Sequence, residues 1–109
     1  MIPIDHVIAL SATLFAIGLV GVITRRNLIV MLMSVELMLN AVNLAFVGFN
    51  RLWPLGPTGA GEASLDGQVF VLTVIAVAAA EVAVGLGIVI SMFRNRDSVN
   101  IDDVSLLRW

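Results

Sequence analysis

Three long apolar runs dominate the sequence, and short polar segments separate them. The runs cover residues 6–24, 27–50 and 67–93, and the acidic residues inside them are Glu36 and Glu81. A helix rises about 1.5 Å per residue, so about 20 residues cross a hydrocarbon core of roughly 30 Å. Each run is near or above that length. The pattern therefore predicts a membrane-spanning helix in each run.

We predict an all-α membrane protein with one domain, residues 1–109, whose three transmembrane helices cover about 5–24, 28–49 and 68–93. The loop between the second and third helices should be irregular because proline and glycine recur in it. Trp53, at the start of this loop, is placed to lie at the membrane interface. The tail, residues 94–109, mixes charged and apolar residues. We expect it to lie along a partner or the interface.

Composition supports a membrane protein and excludes several other classes. Of the 109 residues, 60% are hydrophobic and 13% are charged, and the mean hydropathy is +1.04, far from the balance of a soluble domain. A net charge of -2 gives no support for a nucleic-acid partner. Without cysteine the chain has no thiolate ligand, and its one histidine cannot share a metal with a second. We predict no metal ligand, cofactor-binding residue or catalytic residue in this chain.

The arginines predict the orientation in the membrane. Arg25 and Arg26 share the short first loop, Arg94 and Arg96 follow the third helix, and Arg51 begins the second loop. Arginine and lysine are enriched in loops on the cytoplasmic side. We therefore expect the first loop and the C-terminus on the cytoplasmic or matrix side, and the N-terminus outside, in the periplasm or intermembrane space.

Two glutamates lie deep inside the predicted membrane helices. Glu36 follows Arg26 by ten residues, and Glu81 precedes Arg94 by thirteen, which places them about 15 Å and about 20 Å inside the cytoplasmic ends of their helices. A carboxylate at the bilayer centre costs on the order of 2.5 to 3.5 kcal/mol even on insertion scales. Both residues are therefore predicted to face protein or water and to carry protons. The alternative is a pair of protonated glutamates that only hydrogen-bond helices together.

Other polar residues could support these glutamates. Successive helical residues are rotated by about 100°, so Asn40 and Asn43 fall within about 40° of Glu36 and form one polar stripe with it. Such a stripe equally suits helix packing. Arg25 and Arg26 are more often a topology anchor than a functional site, although they could also bias the charge of Glu36.

The segments RRNLIVMLMSVELMLNAVNLAFVGF, DGQVFVLTVIAVAAAEVAVGLGIVI and VNIDDVSLLRW resemble the subunit K family of the proton-pumping NADH:quinone oxidoreductase, respiratory complex I. The resemblance covers nearly the whole chain. It implies a membrane-arm subunit beside subunit J and an antiporter-like subunit such as N, within the bilayer. Glu36 and Glu81 match the two intramembrane glutamates of the family, and Arg25 and Arg26 match an arginine pair that supports coupling.

The same resemblance implies that the FMN, the iron-sulfur clusters, the NADH site and the quinone site belong to other subunits. It also implies a multi-pass protein of the bacterial inner (plasma) membrane, or of the mitochondrial inner membrane if the chain is organellar. Three alternatives remain: the small subunit of a multisubunit sodium/proton antiporter, a small multidrug transporter, and a purely structural subunit. The RRN loop fits complex I better than an antiporter, and a multidrug transporter of this size needs four helices.

Overall fold

The computed structural model describes residues 2–52 and 66–103, and within them the chain is helical with one short turn of 3-10 helix. Helix α1 covers Ile4–Thr24, α2 covers Leu28–Leu52 and α3 covers Asp66–Arg96. The 3-10 turn covers Ile101–Asp103. All three α-helices are long and apolar enough to cross a membrane, with mean hydropathies of 2.4, 1.9 and 2.5 over an 18-residue window of each.

Helices α2 and α3 extend beyond the apolar runs that predicted them. Helix α2 continues to Leu52, the last residue that the structure describes before position 66. Helix α3 continues past Phe93 to Arg96. It ends where Asp97 adopts a left-handed backbone with φ of 51°, and the Asp97 N–H donates to the Phe93 carbonyl at 2.8 Å. The predicted interfacial position of Trp53 lies outside the described residues.

Helix α2 packs against α1 on one face and α3 on the other. Small residues allow the close approach of α1, since Gly18 lies against Met38 and Ser34, and Gly21 lies against the Ser34 hydroxyl. The Ser11 hydroxyl donates to the Ala41 carbonyl across the same interface. The α1–α2 contact therefore joins close backbone packing to a hydrogen bond between helices.

The outer surface of the described chain is apolar. Large hydrophobic side chains are exposed along all three helices, including Ile23 on α1, Met33 on α2 and Leu72 on α3, which are 72%, 66% and 66% exposed. The core contains mainly small or medium side chains, among them Ala41, which is fully buried. An apolar exterior around a narrow core is the arrangement that lipid or neighbouring membrane subunits can cover.

Replacing Gly18 by alanine should weaken the α1–α2 contact. The added methyl carbon would lie 2.8 Å from the Ser34 carbonyl oxygen, a backbone atom that cannot move unless the helices separate, so we expect a loss of stability of about 1–3 kcal/mol. The thermal inactivation temperature of the purified assembly measures it. Gly87→Ala is the control because no heavy atom lies within 4 Å of its added carbon. Equal effects of the two substitutions would contradict this packing.

The first part of the tail pairs with the chain's own first loop. Asn27 and Asn100 form an antiparallel bridge, in which the Leu28 N–H donates to the Val99 carbonyl at 2.8 Å and the Ile101 N–H donates to the Arg26 carbonyl at 2.7 Å. We call residues 98–103 the tail strap. Backbone groups of the first loop thus satisfy those of the strap, while residues 100–103 remain exposed, so the expectation that the tail lies along a partner or the interface stays a prediction. Residues 104–109 lie outside the described residues.

Candidate functional site

Two close contacts define the register between α2 and α3. Leu32 of α2 packs on Gly85 of α3, and Asn50 of α2 packs on Gly67 of α3. In each helix the two contact residues are separated by about five full turns, so they lie on one line along the helix. We call the contact along these lines the α2–α3 seam.

Glu36 and Glu81 lie at the same depth in the membrane helices. Glu36 follows Leu32 by four residues, Glu81 precedes Gly85 by four residues, and the two helices are antiparallel. Each glutamate is therefore about 6 Å along its helix from the same contact. Glu36 is half-buried, whereas Glu81 is exposed on the surface of the described chain.

The two glutamates flank the seam on opposite sides. Phe46 and Phe70 stack across one side of it, with ring centroids 6.0 Å apart and an interplanar angle of 10°. On α3, Glu81 is rotated by only about 20° from Phe70. On α2, Glu36 is rotated by about 80° from Phe46, across the seam line. The structure therefore aligns the two carboxyl groups in depth but turns them towards different surroundings.

The two asparagines of the predicted polar stripe have different environments. Asn40 is exposed on the surface of α2. Asn43 is only 9% exposed, and its Oδ1 atom receives no hydrogen bond from any described residue. Helical spacing placed both near the face of Glu36, but only the packing of α3 shows that Asn43 is covered and Asn40 is not.

The arginine pair lies at the end of the molecule where the tail strap pairs with the first loop. Arg26 forms an ion pair with Asp102 of the strap, while Arg25 is exposed. Asn27 accepts the Ile29 N–H at 2.9 Å and so caps the start of α2. The sequence analysis missed Asp102. Its only signal in the sequence was that it is an acidic residue in the C-terminal tail, opposite in charge to the arginine pair of the first loop.

Substituting Asp102 by asparagine should release Arg26 while the backbone pairing of the strap remains. The side chains of Arg26 and Asp102 are 71% and 50% exposed, so we expect a small stability loss, below about 1 kcal/mol. If the chain works in the proton-pumping complex that the resemblance implies, and if Arg26 supports coupling through its position, the ratio of protons pumped to NADH oxidised should fall although the assembly is intact. Proton uptake by inside-out vesicles, measured together with the rate of NADH oxidation, gives that ratio. An unchanged ratio in Asp102→Asn, together with a reduced ratio in Arg26→Gln, would contradict a positioning effect of Asp102.

Within residues 2–52 and 66–103, no three His, Asp or Glu side chains form a group that could hold a metal ion.

Comparison with known proteins gives a consistent family. A family model described as NADH-ubiquinone/plastoquinone oxidoreductase chain 4L matches residues 6–109. NADH-quinone oxidoreductase subunit K 1 of Koribacter versatilis is 55% identical over 104 residues, which are 95% of this chain and 93% of that relative. Subunit K 2 of Geotalea uraniireducens is 48% identical over 109 residues and covers 100% of both chains. Subunit 11 of the Thermus thermophilus enzyme is 55% identical over 98 residues, 90% of this chain and 93% of that relative.

These relatives match along nearly their whole length, and the resemblance to subunit K predicted from the sequence is confirmed. The chain belongs to the NADH-ubiquinone/plastoquinone oxidoreductase chain 4L family.

Proposed function

We propose that this chain is a membrane-arm subunit of a proton-pumping NADH:quinone oxidoreductase, in which Glu36 and Glu81 carry protons between neighbouring subunits. The observation that carries the proposal is the position of the two carboxyl groups, at one depth within apolar helices and on opposite sides of the α2–α3 seam. Carboxyl groups at such a depth are costly unless they face protein or water. They therefore require neighbours that the isolated chain lacks.

The two sides of the seam suggest two different neighbours. Glu36 shares its side with the exposed Asn40, while Glu81 shares its side with Phe46, Phe70 and an apolar groove between α1 and α2. A polar surface and an apolar surface at equal depth suit different partners. We assign these partners to the subunit J and antiporter-like subunits, such as N, that the family resemblance implies.

Electron transfer takes place elsewhere in the proposed complex. The FMN and iron-sulfur clusters that the resemblance implies would be held by other subunits and would supply the electron-transfer chemistry there. The part assigned to this chain is to hold and transfer protons within the membrane, in the bacterial inner membrane or the mitochondrial inner membrane.

The orientation follows from the end of the molecule that carries most of the positive charge. Arg25 and Arg26 lie at the same end as the tail strap, whereas Arg51 lies at the other end of α2. We therefore place the strap on the cytoplasmic or matrix side. Because the chain has no cysteine, a single cysteine in place of Asn95 can test this. Reaction with an impermeant thiol reagent from the periplasmic or intermembrane side of intact membranes would reverse the assignment.

Affinity purification tests membership of the complex. The affinity tag belongs at the N-terminus, because a tag at the C-terminus would follow the tail strap, which pairs with the first loop. After extraction in mild detergent, FMN and NADH:quinone reductase activity should co-purify with the chain. Co-purification with cation/proton antiporter subunits and without FMN would instead favour the sodium/proton antiporter.

A further inference from the structure

Polar residues recur along the seam face of α2 at intervals of seven. They are Glu36, Asn43 and Asn50. Seven residues rotate a helix by about 700°, which returns each side chain to within about 20° of the previous one. The three therefore lie in one row that runs from the middle of the helix to its Arg51 end, over about 21 Å.

Asn43, the middle member of the row, has a buried carbonyl oxygen that lacks a donor. Oδ1 of Asn43 exposes less than 1 Å² and accepts no hydrogen bond among the described residues. A buried amide oxygen without a donor is unfavourable, and more so inside a membrane, where no bulk water can replace the donor. The closed packing of α2 on α3 therefore leaves a polar group unsatisfied.

Among the described residues, those around Asn43 offer no donor to that oxygen. By the register of the seam, Val74 of α3 lies opposite Asn43, and the buried Ala78 lies one turn away on the side of Glu36. Neither side chain can donate a hydrogen bond, and the backbone N–H groups of α3 are used within the helix. Residues of this chain already bury the Asn43 side chain, so a neighbouring subunit that packs on the outside cannot reach its Oδ1 atom. A side chain from a neighbour is therefore excluded unless the helices part.

We propose that the α2–α3 seam is a water-admitting route, in which water binds Asn43 Oδ1 when the helices part slightly and connects Glu36 with Asn50. Water is small, donates two hydrogen bonds and is the common partner of buried amide groups. The inference rests on the proposed function in one respect, namely that Glu36 exchanges protons. It adds a path for those protons towards the Arg51 end of α2. The closed packing of α2 on α3 interrupts this path.

Small residues on α3 fit such a route. Gly67 faces the Asn50 side chain, whose Oδ1 lies 2.8 Å from where a methyl carbon on Gly67 would be. Ala78 lies at a depth between Glu36 and Asn43, and it is turned by about 20° towards the side of Glu36. A larger side chain at Ala78 would therefore fill the space that water needs between the two.

Three variants of the complete complex test the route. Asn43→Leu keeps the side-chain size and removes the acceptor. Ala78→Val narrows the seam. Ala76→Val is the matched control, since Ala76 lies at nearly the same depth but faces away from α2 and is exposed. We expect Asn43→Leu and Ala78→Val to lower NADH-driven proton uptake, normalised to assembled complex, by about tenfold. The Ala76→Val complex should pump at the wild-type rate.

A direct structural readout accompanies these rates. High-resolution maps of the wild-type complex during turnover should show a water within hydrogen-bond distance of Asn43 Oδ1 in at least one conformation. In that conformation the α2–α3 distance should be larger than in the dry one. A seam that is dry in every conformation, or a protein donor to Oδ1 in every conformation, overturns the inference.

The failure of this inference is distinguishable from the failure of the proposed function. If Glu36→Gln lowers pumping while Asn43→Leu and Ala78→Val match Ala76→Val, the seam route is wrong and the proton-carrying function of Glu36 stands. If Glu36→Gln pumps normally, the proposed function itself is wrong.

Discussion

Replacing Glu36 by glutamine should leave the complex assembled and reduce its proton pumping by at least about tenfold. Glutamine keeps the size and hydrogen-bonding capacity of the side chain but cannot release a proton. The half-buried position of Glu36 beside the seam is compatible with a neutral amide, so the amount of complex on a native gel should not change. NADH-driven proton uptake by inside-out vesicles, normalised to assembled complex, measures the effect.

Moving the carboxyl group separates proton transfer from structural hydrogen bonding. In the Glu36→Gln background, Asn40→Glu restores a carboxyl group one turn away, on the same side and at an exposed position. Val35→Glu is the control, because Val35 is also exposed but is rotated by about 100° to the other side. In this background we expect Asn40→Glu to restore pumping in part and Val35→Glu not to restore it. Equal recovery with both, or undiminished pumping in Glu36→Gln, would leave Glu36 as a hydrogen-bonding group.

Replacing Glu81 by glutamine should also lower pumping, several-fold but less than Glu36→Gln. Glu81 is exposed on the described chain and has no asparagine stripe beside it, so groups of a neighbouring subunit can partly maintain a path at its position. The same vesicle assay measures the loss. Assembly should again be unchanged, since none of the contacts that define the seam involves the Glu81 side chain.

The double variant shows whether the two glutamates act in series. Residues on one sequential path give non-additive losses, because a path that is already blocked cannot be blocked again. Glu36→Gln combined with Glu81→Gln should therefore pump no less than Glu36→Gln alone. Losses that multiply would mean that the two carboxyl groups serve separate paths on the two sides of the seam.

Membrane helices are predictable from this sequence because the apolar runs are long and nearly free of charge. Their ends are less predictable, since hydrophobicity marks where the bilayer ends and not where the helix does, as the extension of α3 to Arg96 shows. Left-handed Asp97 decides that end, and no hydrophobic pattern reports it.

The contacts between helices and their register could not be predicted from the sequence. Spacing alone groups Asn40, Asn43 and Glu36 on one face, but the contact of Leu32 with Gly85 determines which of them α3 covers. The same contact makes Leu32 a poor position for a second carboxyl group, although it is one turn from Glu36. Whether Glu36 and Glu81 share a depth or a side depends on the register of two helices, which single-helix periodicity does not contain.

Pairing of Asn27 with Asn100 has a consequence for how the chain is made. The first loop is synthesised before α2 and α3, whereas the tail strap follows α3, so their bridge cannot form until α3 has been made and inserted. Contacts between residues so distant in sequence form late, since the intervening chain must first be ordered. During synthesis the loop with Arg25 and Arg26 is therefore open to insertion factors and neighbouring subunits. The strap pairs with the first loop only after α3 is in place, so a product truncated before the strap would keep an unpaired first loop.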